Sequence, residues 1–218
     1  MSKINIAIDG PGGSGKTTIG RLLAEKLNYQ FLDSGLLYRH FAFFYQQNSS
    51  RSTKKEKLLQ LWKEWLRKNE GNVVSNLEKE YYQLSSPTIS DLASQLSPQP
   101  ELRKIILEFQ RELVQEKGWV VVGRDITSEV LPDAKLKIFL TASLEERAKR
   151  RNNQYKVRSS FEEAKEKLQA RDERDKNRKI SPLIKTVDSW ELDTTHLSST
   201  ESVEKIIQQI ERKLSSEK

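Results

Sequence analysis

A loop of closely spaced glycines, followed by a lysine and two threonines, carries the clearest chemistry in this sequence. Residues 9–18 read DGPGGSGKTT, and four of the chain's 9 glycines lie between positions 10 and 15. The spacing Gly10-x-x-x-x-Gly15-Lys16-Thr17 is that of the phosphate-binding loop of nucleoside-triphosphate enzymes. It predicts that Lys16 reaches the β- and γ-phosphates and that the Thr17 hydroxyl binds Mg²⁺. The predicted triphosphate contacts are Gly10, Pro11, Gly12, Gly13, Ser14, Gly15, Lys16, Thr17 and Thr18.

A predicted strand and a predicted helix flank this loop. Ile4, Ile6 and Ile8 alternate with other residues as in a strand, and apolar residues recur at helical spacing from Lys16 onward. A strand, a glycine loop and a helix N-terminus in this order direct backbone N–H groups at an anion. The alternative is a glycine-rich turn before an ordinary helix, which the flanking elements disfavour.

A second group of candidates consists of arginines that outnumber what a solvated surface requires. The segment RDERDKNR places Arg171, Asp175 and Arg178 four and three residues apart, on one helix face. By itself this spacing also fits a salt-bridged solvent face. Planar guanidinium groups bind phosphate oxygens in pairs, so the whole group indicates phosphate recognition. Its other members are Arg39, Arg103 and Arg124.

A basic cluster near position 150 has two interpretations. Arg147, Lys149, Arg150 and Arg151 lead into the polar stretch 152–159. The cluster is either a lid that closes over a triphosphate and excludes water, or the basic end of a helix stabilised by the helix dipole. The sequence leaves both interpretations open.

The two histidines, His40 and His196, lack the neighbours that a catalytic triad or a metal site would need, and we expect both to be structural or exposed. An anionic phosphate acceptor needs no general base at neutral pH, whereas a sugar hydroxyl usually does. An arginine-rich site without an evident base therefore favours a nucleoside monophosphate as the acceptor.

The composition fits one α/β domain with an insertion. The chain has 218 residues, of which 35% are hydrophobic and 32% charged, with a formal net charge of +7 and no cysteine. Lack of cysteine excludes disulfides and thiolate metal sites. With no apolar run of about 20 residues and no leader-like start, we expect a cytoplasmic protein without a membrane partner. Arginines near loops favour a phosphate pocket over nucleic-acid binding.

The order of elements along the chain predicts a mainly parallel sheet with right-handed crossovers. We expect strands near 4–9, 29–32, 119–122, 136–140 and 190–192. Helices are expected at 101–117, ended by Gly118, after Ser143 and Ser160 through capping boxes, and at 201–214. Ligands bind at the carboxyl ends of such strands, where residues 9–18, 33–38 and 123–125 and Asp193 should lie.

The segment between these elements is less regular. We expect a polar surface link at 46–57 and a small hairpin at 71–84. Residues 58–66, LLQLWKEWL, place Leu58, Leu61, Trp62, Trp65 and Leu66 on one helical stripe. We interpret this stripe as the core of an inserted subdomain rather than as a membrane or partner surface.

Several of these segments together resemble the bacterial cytidylate kinases. IAIDGPGGSGKTT, LDSGLLYR, ASQLSPQPELR, GRDITSEVLPDAKLKIFLTAS and RDERDKNR occur in the family's order, over most of the chain except roughly 46–88. The resemblance implies a phosphate-loop fold with a five-stranded parallel sheet, and transfer of the γ-phosphoryl group of ATP to CMP or dCMP with Mg²⁺. It also implies a core at about 1–45 and 101–218, a monophosphate-binding insertion at about 46–100 and a helical lid at about 150–160.

The same resemblance implies roles for individual residues. Ser34, Tyr38 and Arg39 hold the acceptor nucleotide, and Ser94, Arg103 and Asp125 recognise the cytosine edge. Arg124 contacts the acceptor phosphate, Arg171 and Asp175 lie near the ribose, and Arg178 lies against phosphate or base. The residues expected to act on the transferring group are Lys16, Arg39, Arg124, Arg150 and Arg178.

Some alternatives stay open from sequence. A kinase of the same fold could use UMP, AMP or a small metabolite, and a nucleotide-gated switch or RNA-binding module is a rival of another class. A guanine-binding N-K-x-D string does not occur, and we expect a monomer without a nucleic-acid partner. The chain departs from the family at Ile126-Thr127, where a glycine is usual. The second carboxylate that organises Mg²⁺ is Asp9 or Asp125.

Overall fold

The computed structural model describes residues 3–49, 54–155 and 160–215. The chain divides into two compact units. The first, which we call the sheet unit, comprises Met1–Asp33 and Leu113–Lys218, and the second, the helical unit, comprises Ser34–Glu112. The insertion expected at about 46–100 falls inside the helical unit, and its limits as a substrate-binding insertion stay a prediction.

Within the described residues, five parallel strands form the sheet in the order β2-β3-β1-β4-β5, which confirms the expected parallel α/β fold. The run Trp119–Gly123 is apolar throughout because its strand is covered on both faces. The strands are β1 Ile6–Asp9, β2 Gln30–Asp33, β3 Trp119–Gly123, β4 Leu136–Thr141 and β5 Trp190–Asp193.

Helices pack against this sheet and complete the core of the sheet unit. Buried side chains of β1, β3 and β4 contact apolar residues of the first and last helices, among them Leu23 and Ile206. The helices of the unit are α1 Lys16–Leu27, α8 Leu144–Tyr155, α9 Phe161–Asn177 and α10 Ser199–Ser215, with a π-helical turn at Ile126–Val130. None of the helices in the described ranges has the length and apolar composition needed to cross a bilayer.

The strand register brings the expected functional segments to one edge. Asp9 of β1 pairs with Gly123 of β3 and with Phe139 of β4, so the carboxyl ends of these strands lie side by side. The glycine loop therefore leaves the sheet next to Arg124 and Asp125, as a parallel sheet requires.

The serine N-caps of the two expected capping boxes are present at the starts of α8 and α9, but the Ser143 N–H donates to the Thr195 hydroxyl rather than to Glu146. The Ser143 hydroxyl accepts a hydrogen bond from the Glu146 N–H at 3.2 Å, and the Ser160 hydroxyl accepts one from the Glu163 N–H at 3.2 Å. Each bond satisfies an N–H group that has no partner within its own helix.

The helix expected at 101–117 ends earlier, at Leu113, and the side chain of Asn5 explains why. Its amide donates to the Val114 carbonyl at 3.0 Å, and its carbonyl oxygen accepts from the N–H groups of Gly118 and Trp119. Asn5 thus occupies backbone groups that a longer helix would use, and Gly118 forms the turn into β3 with a φ of 105°.

The helical unit consists of short helices around one apolar core. The hairpin expected at 71–84 was wrong, because Val73, Leu77 and Leu84 are buried at helical spacing and the segment is helical. The expected link at 46–57 is also shorter, since helices occupy 46–48 and 55–57. The helices are α2 Ser34–Asn48, α3 Lys55–Lys68, α4 Val73–Lys79, α5 Tyr81–Leu84, α6 Pro87–Leu96 and α7 Pro100–Leu113, with a 3₁₀ turn at Glu70–Asn72.

The apolar stripe of α3 differs from the expected stripe by one position. Leu58, Trp62 and Leu66 are buried as expected, but Leu61 is 42% exposed and Leu59 is buried instead. Leu59 and Leu66 lie two helical turns apart on the buried side, whereas Leu61 lies beyond the edge of that face. The stripe forms core, as interpreted from the sequence.

Candidate active site

The glycines of the loop at residues 10–15 are required by backbone conformation and by packing. Gly13 and Gly15 have φ values of 74° and 92°, which side chains disfavour. A Cβ atom on Gly10 would lie 2.0 Å from the Leu140 carbonyl oxygen, and one on Gly13 would lie 2.8 Å from the Arg147 carbonyl oxygen. The loop is therefore pressed against β4 and α8, and larger residues would not fit.

Lys16 begins α1 and folds back over the loop. Its Nζ donates to the Pro11 carbonyl at 2.7 Å and to the Ser14 hydroxyl at 3.3 Å, and the residue is buried. Burial, together with the nearby Arg124 charge, lowers the pKa of Lys16 well below its usual range. A phosphate bound beside Nζ would place negative charge next to Lys16 and so favour its protonated form.

Thr17 points to a carboxylate that the sequence reasoning did not single out. Its hydroxyl donates to Oδ2 of Asp33 at 2.9 Å, and Asp33 is the last residue of β2. An acidic residue at the carboxyl end of a strand near the loop was the available signal. Hydroxyl and carboxylate oxygens are ligands that Mg²⁺ accepts, so this pair is a candidate metal site.

Asp9, one of the two carboxylates considered for Mg²⁺, has another role. It is fully buried and accepts hydrogen bonds from the Ile126 N–H at 2.9 Å and from the N–H and hydroxyl of Thr127 at 2.7 Å each. Burial raises the pKa of Asp9 to about 6, although these hydrogen bonds work in the opposite direction. Asp9 holds the π-helical turn, and Thr127, the departure from the family, supplies two of its three donors.

The predicted acceptor residues of the sheet unit form ion pairs with one another. Arg124 donates from Nε to Asp175 at 2.8 Å and from NH1 to the Gly10 carbonyl at 2.7 Å. Nε of Arg171 lies 4.0 Å from the same Asp175 oxygen. Arg178 lies 3.5 Å from Asp125 and also donates to the Ser181 carbonyl. The solvated-face alternative is wrong for Asp175, which is buried.

Electrostatics reinforce the pair of Arg124 with Asp175. Burial alone would lower the pKa of Arg124, but the carboxylates of Asp175 and Asp172 raise it above its ordinary value. Burial works against the Asp175 charge too, but the neighbouring Arg124 and Arg171 lower the pKa of that carboxyl. Both groups are therefore charged at neutral pH, and α9 is bound to the start of the loop.

Arg150 is tied to the segment after β5. It donates to the Thr194 hydroxyl at 3.0 Å and to the Thr194 carbonyl at 2.6 Å, and it pairs with Glu146 at 3.0 Å. The Thr194 hydroxyl also lies 3.2 Å from the Ser14 carbonyl of the loop. Sequence reasoning missed Thr194. Of the lid expected at about 150–160, residues 156–159 lie outside the described residues.

The helical unit holds the other predicted acceptor residues. The Arg103 guanidinium lies over the Tyr38 ring at 5.4 Å and donates to the Ser97 carbonyl at 3.2 Å. The Ser97 hydroxyl in turn donates to the Ser94 carbonyl at 3.1 Å, so α6 and α7 are connected. Arg39, on the first turns of α2, is buried.

Two further polar contacts in the helical unit were not expected. Nε2 of Gln110 donates to the Ser34 hydroxyl at 2.6 Å, and both residues are buried. Nδ1 of His40 accepts from the Trp62 indole at 2.8 Å, and the ring stacks on Trp65 with centroids 4.0 Å apart. Burial lowers the pKa of His40 to about 4, so the histidine is neutral and structural.

The chain matches a protein family model and curated relatives that carry the same name. A family model described as cytidylate kinase matches residues 6–212. A cytidylate kinase of Mesomycoplasma hyopneumoniae (strain 7448) is 41% identical over 98% of this chain and 96% of its own length. One of Carboxydothermus hydrogenoformans is 38% identical, over 96% of this chain and 98% of its own.

Solved structures that resemble this chain support the fold alone. An uncharacterized protein from Eubacterium ventriosum superimposes with a TM-score of 0.56 at 17% identity, covering 97% of this chain and 99% of its own. A shikimate kinase from Acinetobacter baumannii has a TM-score of 0.52 at 22% identity, covering 96% and 93%. Both carry the α/β architecture described above.

Proposed function

Because the chain belongs to the cytidylate kinase family, we propose that it transfers the γ-phosphoryl group of ATP to CMP, giving CDP and ADP. The observation that carries the proposal is that the glycine loop and the arginine Arg124 are in direct contact within the sheet unit. The glycine loop with Lys16 binds the donor, and Arg124, which donates to the Gly10 carbonyl, is assigned to the acceptor phosphate.

Catalysis rests on positioning and on neutralising charge. The transferring phosphoryl group spreads negative charge over its outer oxygens, and fixed donors stabilise that charge better than water does. Backbone N–H groups of the loop and the Lys16 ammonium supply such donors for the donor phosphates. On binding, phosphate oxygens take the place of the Pro11 carbonyl and the Ser14 hydroxyl as partners of Nζ.

Mg²⁺ fits the oxygen pair formed by Thr17 and Asp33. Their side-chain oxygens lie 2.9 Å apart in the same unit, and both are ligand types that Mg²⁺ binds. Thr17 and Asp33 would hold the cation, which would supply positive charge to the donor phosphates. We assign the metal-organising carboxylate to Asp33 rather than to Asp9 or Asp125, because Asp33 contacts Thr17, whereas Asp9 accepts hydrogen bonds from Ile126 and Thr127.

We propose roles toward the acceptor nucleotide for residues of each unit, taken by itself. In the sheet unit, Arg124 and Arg178 bind its phosphate and Asp125 accepts a hydrogen bond from the cytosine amino group, where a uracil carbonyl would be repelled. Arg171 and Asp175 are assigned to the sugar. The residues of the helical unit assigned to the acceptor are Ser34, Tyr38, Arg39, Ser94 and Arg103.

We propose that the enzyme also phosphorylates dCMP. Arg150, near the loop through Thr194, neutralises charge on the transferring group as a lid arginine. We assign the enzyme to the cytoplasm, where its nucleotide substrates are dissolved, and we expect it to act as a monomer without nucleic-acid or membrane partners.

A coupled assay of ADP formation tests this function. Mg-ATP is offered with CMP, dCMP, UMP, AMP and GMP in parallel, and we expect fast turnover with CMP and dCMP alone. Turnover with another nucleotide would keep the kinase chemistry but overturn the roles of Ser94, Arg103 and Asp125. If none is phosphorylated, the acceptor is not a nucleoside monophosphate.

A further inference from the structure

A buried ion pair binds both sides of one residue in the glycine loop. Oδ1 of Asp172 accepts a hydrogen bond from the Gly12 N–H at 2.9 Å, and Arg147 donates from NH1 to the Gly12 carbonyl at 3.0 Å. The same NH1 also donates to Oδ2 of Asp172. Gly12, Asp172 and Arg147 thus form a closed ring of hydrogen bonds, in which two helices hold the two polar groups of one loop residue.

The ring is built into the fold of the sheet unit. Arg147 lies on α8 and is fixed at its other end by a hydrogen bond from Nε to the Ala142 carbonyl at 3.0 Å. Asp172 lies on α9, and the side chains of both residues are about nine-tenths buried or more, at 11% and 5% exposure. A Cβ atom on Gly12 would lie 2.6 Å from Leu168 of α9, so the helix is in close contact with the loop.

We propose that Asp172 and Arg147 are a positioning pair that sets the orientation of the Gly12 peptide and so the affinity of the loop for the donor triphosphate. Neither residue acts on the substrate itself. Breaking such a pair leaves an uncompensated buried charge next to the loop, which can then no longer hold one conformation. Backbone donors bind phosphate well only when they are fixed before the phosphate arrives.

The pair also changes the interpretation of the basic cluster near position 150. Arg147 belongs to that cluster, but its guanidinium is directed at the Ala142 and Gly12 carbonyls and at Asp172. Arg150, one turn later, contacts Thr194 instead. The cluster therefore combines a residue that shapes the loop with a residue assigned to the triphosphate.

Binding of an ATP analogue without acceptor tests the positioning pair. The probe is AMP-PNP with Mg²⁺, titrated by calorimetry into wild type, Asp172→Asn and Arg147→Lys. The asparagine keeps an acceptor for the Gly12 N–H but loses the charge, and the lysine keeps the charge but not the planar fork. A charged hydrogen bond contributes enough that we expect each variant to bind about tenfold more weakly or worse.

Asp188→Asn is the control for the loss of an ion pair elsewhere in the sheet unit, since Asp188, which is 55% exposed, pairs with the buried Lys137 at 2.6 Å. We expect this variant to bind the analogue as wild type does, even where its melting temperature falls. The proposal is overturned if Asp172→Asn and Arg147→Lys lower the melting temperature but bind the analogue within about twofold of wild type.

Steady-state kinetics with ATP and CMP give a second readout. Arg147→Lys should raise the KM for ATP about tenfold while the KM for CMP changes less than about twofold. The inference rests on the proposed function only in naming ATP as the donor. If the wild type bound AMP-PNP but phosphorylated no monophosphate, the acceptor would be wrong, and the analogue titration would still decide on Asp172 and Arg147.

Discussion

The two units stabilise their functional residues by different means. In the sheet unit, charged side chains hold one another, as in the pairs of Arg124 with Asp175 and of Arg147 with Asp172. In the helical unit, Ser34 is held by the neutral amide of Gln110, and Tyr38 by the face of its ring against Arg103.

This difference has an energetic consequence. Removing one partner of a buried ion pair leaves a charge without compensation, which costs several kcal/mol, whereas losing one neutral hydrogen bond costs about 1 kcal/mol. Single substitutions should therefore have larger effects in the sheet unit than in the helical unit.

Lys16→Ala, in the sheet unit, should have the largest effect of all, and the effect should be on turnover. Removal of a preorganised donor to the transferring phosphoryl group typically costs about 10²–10³ in kcat, and Lys16 is the principal cation of the loop. We expect turnover to fall by at least about 10³-fold in the coupled assay, with an unchanged circular dichroism spectrum. A folded variant with near-normal turnover would contradict the mechanism.

Arg124→Met tests whether ion pairs dominate the stability of the sheet unit. The substitution leaves the Asp175 carboxylate buried without its main partner, so we expect the free energy of unfolding to fall by about 3–5 kcal/mol. Chemical denaturation followed by circular dichroism measures this change. Adding Asp175→Asn to the variant should restore part of the loss, and a double variant less stable than Arg124→Met would count against the pairing.

Sequence was sufficient for those features of the fold that depend on short spacing. The glycine loop, the two serine N-caps and the buried strand 119–122 were predicted because each is a pattern of neighbouring residues. The partners of those residues were not, because they lie far apart along the chain: Asp172 is 160 positions from Gly12, and Thr194 is 180 from Ser14. Only the fold brings such pairs together.

The errors in the helical unit have a related cause. Residues 71–84 fold as short helices, which are too brief to be stable alone and are held by packing of Val73, Leu77 and Leu84. Local propensity carries little information about such segments. For Gln110, the sequence predicted only that the residue lies in a helix, and the identity of its partner, Ser34, needed the structure.

Gln110→Leu tests the neutral positioning in the helical unit. Gln110 donates a hydrogen bond to the Ser34 hydroxyl oxygen. The hydroxyl proton of Ser34 is therefore left to donate to another group, which in our proposal is the nucleotide CMP. We expect the KM for CMP to rise about five- to tenfold, which corresponds to roughly 1 kcal/mol, while the KM for ATP is unchanged.

Gln95→Leu is the matched control for this substitution. Gln95 is exposed and donates to Asp91 within α6 at 2.7 Å, so its replacement should leave both KM values as they are. An equal rise in the KM for CMP in both variants, or no rise in Gln110→Leu, would show that the contact with Ser34 does not position the acceptor.

The last comparison concerns two buried titratable groups, one in each unit, whose contributions to stability have opposite signs and so leave the smallest net effect in the wild type. The pKa of Asp9 is raised from 3.8 to about 6, so between these values the folded protein binds more protons than the unfolded chain. Its contribution to stability therefore falls as the pH rises through this window. The pKa of His40 is lowered from 6.5 to about 4, so its contribution rises with pH over nearly the same range.

In the wild type these two slopes largely cancel, and single substitutions should separate them. His40→Gln keeps an oxygen that can accept from the Trp62 indole, and its free energy of unfolding should fall as the pH rises from about 4 to about 6. Asp9→Asn should show the reverse trend, and either slope should approach at most about 1.4 kcal/mol per pH unit. Denaturation across this window measures both. Removing His40 leaves the falling contribution of Asp9, and removing Asp9 leaves the rising contribution of His40, so the two stability curves should diverge with pH. Parallel curves for the two variants would mean that the pKa values of Asp9 and His40 are not shifted in opposite directions.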